Sequence, residues 1–316
     1  MNQSLIDAAH PGSYGDTPAP RVFGNVSPLD PQLFLRINDF ADQLLDGTSS
    51  GKYSPVEVAQ WLDDFADAAT QHLTQAARDI TGKPVQYRRL EIDVLIQAGL
   101  GHFFAAKFRS GVLYRIFENT GDRGALETSL EQYRKARAVW AELADRAKGI
   151  YLPDLTVGEQ PQQHGHWLDR LPAIDRDISA LAEKLDGVKL TEPSVATALA
   201  IKTVLGHVVR EVSTCRHVPP ARFAPGQPLE IKLFVESAVA SVSLYYRHVN
   251  QAERFNVATM ERRERQYQAT IPATYTDSPY PLQYYFEIES AKGGAVLYPG
   301  LGKELTNQPY FVVRRA

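Results

Sequence analysis

Leu282-Gln283-Tyr284-Tyr285-Phe286-Glu287-Ile288 keeps a two-residue apolar period. Successive side chains of a strand point to opposite faces, so this stretch predicts Leu282, Tyr284, Phe286 and Ile288 facing a core. Tyr285 then faces outward between Gln283 and Glu287. The same period runs through Leu229-Glu-Ile-Lys-Leu-Phe-Val235, Val242-Ser-Leu-Tyr-Tyr246 and Gln266-Tyr-Gln-Ala-Thr-Ile271, with turn residues between the runs. In the second of these, Val242, Leu244 and Tyr246 point inward and Tyr245 points outward beside Arg247.

Weaker strands are read at 208–216, 254–258, 295–298 and 310–313, enough in all for an immunoglobulin- or fibronectin-like β-sandwich. With Val242–Tyr246 and Leu282–Ile288 as its third and sixth strands, Tyr245 and Tyr285 would sit on the outer face of one sheet, a docking patch able to stack on sugar rings. Coverage by the helical part of the chain is the competing expectation.

Upstream of Gly187 the period is helical. Leu33, Phe34, Ile37, Ala41, Leu44 and Leu45 recur at three- and four-residue steps from Pro31 to Asp46. Ser54-Pro55-Val56-Glu57 starts the next helix: serine caps free amides, proline suits the first turn and glutamate reaches back. From Val85 to Asn119 the chain is apolar on nearly every face, as expected of a helix in the middle of a bundle. Thr120-Gly121-Asp122 closes it and caps a helix over Arg123–Lys148, predicting an antiparallel hairpin. A last helix is read from His166 to Leu185. The fold class is therefore multidomain α and β: an extended lead-in over 1–29, an N-terminal α-helical bundle over 30–186, and a β-sandwich over 187–316 entered through an ambiguous connector at 187–206.

A net charge of −3 gives no basic footprint for nucleic acid. The densest basic run, Glu261-Arg262-Arg263-Glu264-Arg265, is broken by acids and reads as a solvated turn. Cys215, the single cysteine, excludes an intrachain disulfide and a multi-cysteine metal site, and burial is its expected fate. No run of about 18 apolar residues exists to cross a bilayer, and Met1–Tyr14 lacks the basic and apolar regions of a signal peptide. The chain as written reads as cytoplasmic, whereas a longer parent carrying an upstream signal would be secreted.

The chemically densest segment is Gln163-His164-Gly165-His166-Trp167-Leu168-Asp169-Arg170. Two histidines two apart are able to share a metal on an extended segment, but zinc or iron needs a third protein ligand that the sequence does not offer, so no metal and no cofactor are assigned. The structural reading makes it a helix start with Trp167 packed and Asp169 and Arg170 paired; a sugar or partner contact is the functional one. In the central helix, Arg88, Arg89, Glu91, Asp93, Gln97, His102, Lys107 and Arg109 interrupt apolar surface and are expected to pair internally. Glu91 and Asp93 are two apart on a helix, so they point to different faces and are not expected to work as an acid/base pair. The local signatures of serine hydrolases, phosphate loops, dinucleotide folds and zinc proteases are missing, as is the alternating pattern of a catalytic barrel.

Ser54-Pro-Val-Glu-Val-Ala-Gln-Trp-Leu, Thr120-Gly-Asp-Arg-Gly-Ala-Leu-Glu with Tyr133-Arg-Lys-Ala-Arg-Ala-Val-Trp, Gly165-His-Trp-Leu-Asp-Arg-Leu-Pro-Ala-Ile-Asp and Tyr280-Pro-Leu-Gln-Tyr-Tyr-Phe-Glu resemble the C-terminal region of large bacterial glycoside hydrolases similar to α-glucuronidases. The resemblance spans the chain from about Phe23 onward and implies a carbohydrate context, with a catalytic barrel upstream of such a region. It transfers no catalytic carboxylate, so the catalytic residues stay unknown. The leading expectation is a non-catalytic accessory or interaction module with a scaffold or dimerisation surface in its helices and a glycan-touching sandwich. The candidate ligand-contacting residues are His164, His166, Trp167, Asp169, Arg170, Tyr245 and Tyr285. The candidate partners are a poly- or oligosaccharide, an upstream catalytic domain and a second copy of the chain. The rival expectations are a glycoside hydrolase of unfamiliar type, its site between helices and sandwich, and a protein-binding adaptor.

Overall fold

A computed structural model describes residues 30–80, 82, 85–156, 164–190, 192–210, 214–236, 238–250, 252–291 and 293–316. The lead-in read over 1–29 lies outside them. The chain divides into two compact units, one holding the described residues up to Gly47 together with Tyr53–Val208, the other holding Thr48–Lys52 and Val209–Ala316.

The first unit is helical: α1 (Ile37–Asp46), α2 (Pro55–Asp79), α3 (Val85–Thr120), α4 (Arg123–Ala147), a 3₁₀ turn (Trp167–Arg170), α5 (Leu171–Asp186) and α6 (Val195–Leu205). Asp30 delays α1: its carbonyl accepts the amides of Leu33 and Phe34 in a turn, and Leu33 and Leu35 then exchange backbone hydrogen bonds with Tyr53, which keeps the chain extended until Ile37. At α2 the expected capping box is formed: Ser54 Oγ accepts the Glu57 amide (3.1 Å) and the Glu57 carboxylate accepts the Ser54 amide (2.8 Å). α3 and α4 pack antiparallel, since Ser110 meets Ser129, Phe103 meets Trp140, and Gly99 meets Leu143. Asp122 caps α4 by accepting the Ala125 amide at 2.7 Å.

α3 runs through the middle, packed against α1, α2, α4 and α6. Gly101 lets α2 in, because a Cβ there would lie 3.0 Å from the Leu62 carbonyl oxygen. Enclosure of α3 grows along its length: Val85 and Leu90 are exposed although Tyr87 and Ile96 are buried, whereas Val112, Leu113 and Ile116 are fully buried. Those three join Leu126, Leu130 and Tyr133 of α4, Ile174 and Leu181 of α5, and Ala200 and Val204 of α6 in one core. The ambiguous connector contains α6, whose N-terminus Ser194 caps by accepting the Thr197 amide. The helix expected from His166 is instead two elements. Pro172 has no amide to continue the ladder, so a 3₁₀ turn closed by Leu171 N–H to the Leu168 carbonyl precedes α5.

The second unit is built on antiparallel and mixed sheets. Its strands are β1 (Cys215–Arg216), β2 (Arg222–Phe223), β3 (Leu229–Val235), β4 (Val239–His248), β5 (Asn256–Thr259), β6 (Glu261–Arg263), β7 (Gln266–Ile271), β8 (Leu282–Ser290), β9 (Ala295–Tyr298) and β10 (Phe311–Arg315), with a single-turn α7 (Ala273–Thr276) before β8. One sheet has the order β1-β3-β7-β6; the other has β2-β10-β8-β4-β5, with β9 also on β8. β2 and β10 run parallel and the remaining pairs are antiparallel. Ile231, Leu233, Tyr267 and Ile271 from the first sheet share one core with Val242, Leu244, Phe286 and Ile288 from the second. The basic run read as a turn begins as a strand: Glu261–Arg263 is an exposed edge paired with β7, and the turn falls at Glu264, whose φ is +60°.

Candidate functional site

The segment at His164–Arg170 is folded on itself. The Asp154 carboxylate accepts the Gly165 amide at 2.8 Å, and the Leu155 amide donates to the Gly165 carbonyl. Exposed His164 lies beside them, its Nδ1 3.2 Å from Thr156 Oγ1 and 3.8 Å from Asp154. Gln163 is outside the described residues. His166 and Asp169 form a reciprocal cap on the 3₁₀ turn: Nδ1 of His166 accepts the Leu168 amide, and Asp169 accepts the His166 amide at 2.7 Å. Gly165, at φ +104°, is required here, since a Cβ would lie 2.8 Å from Asp169 Oδ2. The turn is pinned to the helices through Trp167, whose carbonyl accepts Trp140 Nε1–H at 2.7 Å and whose ring meets Tyr151 edge-on. One atom stands out. Nε2 of His166 is buried and has no hydrogen-bond partner among the described residues.

Behind this turn lies a cluster that sequence reading did not assemble. Lys107 of α3 is buried, its ammonium 5.7 Å from the Phe103 ring and 5.9 Å from the Tyr133 ring. Burial pushes its pKa down to about 8, with Asp177 pulling up and Arg170 adding to the fall. Tyr133 donates to Asp177 at 2.9 Å, and burial followed by the Asp177 charge raises its phenol well above the usual range. The other α3 charges pair partly with α2: Asp63 takes His102 at 2.8 Å and Arg109 at 2.7 Å. Asp93 accepts the Tyr151 hydroxyl.

In the sheet unit, β4 and β8 are neighbours and Tyr245 stands directly opposite Tyr285. Their rings stack at 4.9 Å with only 6° between planes. Tyr245 is half-buried and donates to Glu287 at 2.6 Å; burial, then that carboxylate, raises its phenol. The other oxygen of Glu287 accepts the Gly51 amide at 2.7 Å. Tyr285 is on the outer face as its period requires, yet only 1% exposed, with Phe255 edge-on at 4.9 Å and the Arg247 guanidinium over Phe255.

A further polar group forms where β4 ends. His248 stacks on Tyr275 at 4.3 Å, its Nδ1 is 2.9 Å from Glu253, and its Nε2 is 3.1 Å from the Tyr275 carbonyl. Glu253 also accepts from the Tyr275 hydroxyl and from Asn250. Burial favours its neutral form, but hydrogen bonds from His248, Asn250 and Tyr275 prevail and lower its pKa; Tyr275 is pushed up to about 12 by burial and by Glu253. No local pattern joins positions 248, 253 and 275. The proline-flanked tyrosine of Ser278-Pro279-Tyr280-Pro281 was the one available signal.

Among the described residues no group of three or more His, Cys, Asp or Glu side chains is placed to hold a metal, and no helix is long and apolar enough to cross a membrane. Comparison with known proteins yields a distant structural neighbour. That protein, described as a GH138 enzyme targeting pectin rhamnogalacturonan II, is similar with a TM-score of 0.46 and 12% identity, over 59% of this chain and 27% of that one. The chain thus spans about a quarter of the length of that protein. No protein-family model and no curated protein matches.

Proposed function

We propose that this chain is a non-catalytic interaction module of a carbohydrate-active protein, with the helical unit as scaffold or dimerisation surface and the sheet unit as an immunoglobulin- or fibronectin-like sandwich that touches glycan. One observation carries the non-catalytic part. In the segment richest in catalytic side-chain types, His166 and Asp169 are committed to capping each other's turn and Trp167 to packing. The carbohydrate context is supported by the resemblance of the segments at Ser54, Thr120, Gly165 and Tyr280 to the C-terminal region of α-glucuronidase-like glycoside hydrolases. Two sheets feeding one core support the sandwich reading. Of the outer-face tyrosines, Tyr245 retains exposed surface for a ligand.

The test is a panel of glycosides and polysaccharides assayed for turnover and, by calorimetry, for binding. The expected result is binding without turnover. A second reading, a hydrolytic site around His166, is favoured by its buried Nε2, which has no hydrogen-bond partner among the described residues. Turnover that disappears in a folded His166→Ala variant would replace the first reading with the second.

A further inference from the structure

The loop end of the sheet unit pairs an exposed ring with a carboxylate held ready to accept. Tyr280 is 57% exposed, and its ring centroid lies 6.5 Å from that of His248 in an edge contact. Its backbone is fixed on both sides: prolines at 279 and 281 restrict φ, the Tyr280 amide donates to Ser278 Oγ, and the Val249 amide donates to the Pro281 carbonyl. The ring is therefore presented rather than loosely tethered. His248 also meets Glu253, which is oriented by His248 and Tyr275 on Oε2 and by Asn250 on Oε1, with 35% of its side chain exposed. A carboxylate oxygen accepts two hydrogen bonds, and Oε1 takes one donor, Asn250, among the described residues.

A pyranose matches this pairing. Its C–H face is apolar and flat enough to lie on an aromatic ring, and its hydroxyls donate to a carboxylate. Binding to parts already fixed avoids the ordering cost that weakens most surface contacts. Among the described residues, the loops that build this end carry Glu253 and exposed Asp277 against one exposed cation, Arg254, an acidic balance that disfavours a uronate and leaves a neutral sugar unaffected.

We propose that Tyr280 and Glu253 form a saccharide contact at the loop end of the sheet unit, taking a neutral pyranoside with its face on Tyr280 and a hydroxyl donated to Glu253. This rests on the glycan-contact reading above and gives that contact a location and a sugar class. The test is ligand-observed NMR on the full chain with neutral xylo-, gluco- and galacto-oligosaccharides and with oligogalacturonate. Wild type, Tyr280→Ala, Tyr280→Phe and Glu253→Gln are compared, each checked by thermal melting. At least one neutral oligosaccharide should bind, at least tenfold more weakly in Tyr280→Ala and in Glu253→Gln, with Tyr280→Phe close to wild type and the Tyr280→Ala melt unchanged. Binding that is equal in wild type and Tyr280→Ala overturns the site while leaving the glycan-contact reading intact. Preference for oligogalacturonate overturns the sugar class. No binding of any saccharide by wild type removes the site and the glycan-contact reading together.

Discussion

Tyr285 shows what one residue contributes once its neighbours are known. Its stack on Tyr245 and the edge contact with Phe255 leave it 1% exposed, so truncation opens a cavity within a packed aromatic face. Tyr285→Ala should lower stability by on the order of 3 kcal/mol, read from the shift in a urea unfolding midpoint; a loss below about 1 kcal/mol would mean the ring is not packed as described. Tyr133→Phe is the polar counterpart. It removes one donor to Asp177 without opening a void, and the expected loss is about 1 kcal/mol by the same measurement.

At the scale of elements, caps and turns decide where the chain changes course. Gly165→Ala puts a Cβ against Asp169 and forces a positive φ on alanine, so the cap on the 3₁₀ turn should fail. Expected are a loss of on the order of 2 kcal/mol and faster amide exchange at His166 and Leu168 by NMR, with exchange in α3 unchanged. The starts at Ser54 and Asp122 were legible in sequence because each cap lies within three residues of the amide it satisfies. The start at His166 was misplaced because Pro172 splits the helix. The outward direction of Tyr245 and Tyr285 followed from a two-residue period. The burial of Tyr285 did not, since it depends on Phe255, thirty positions upstream on another strand's approach. The group at Glu253 was illegible for the same reason: Tyr275 reaches it from α7, 22 positions downstream.

At the scale of the whole molecule, Lys107 gives the helical unit a pH signature. Folded, the amine titrates near 8; unfolded, it titrates at its ordinary 10.5. Between these values the unfolded chain binds the extra proton, so stability rises with pH across the window. The gain is on the order of 2 to 3 kcal/mol. Above pH 10 the raised phenol of Tyr133 opposes it, because the unfolded tyrosine releases its proton while the folded one keeps it. Stability of the helical unit should therefore climb from about pH 8 to about pH 10 and then fall. Urea midpoints at half-unit steps of pH test this, and in Lys107→Met the climb should be absent.

The short stretch Thr48–Lys52 belongs to the sheet unit although helical sequence flanks it on both sides. Gly51 donates to Glu287, and Arg210 donates to the carbonyls of Gly51 and Lys52. A gene cut at the junction near residue 208 would therefore express a strand half missing a piece of itself, with the Glu287 carboxylate and the Arg210 guanidinium deprived of those partners. The ribosome meets the same dependence in reverse order. Residue 51 emerges long before residue 287, so the Gly51 amide waits for its acceptor until more than two hundred further residues have been made. The strand half is not a portable cassette, and shuffling or grafting it onto another protein calls for a peptide equivalent to 48–52 to be supplied with it.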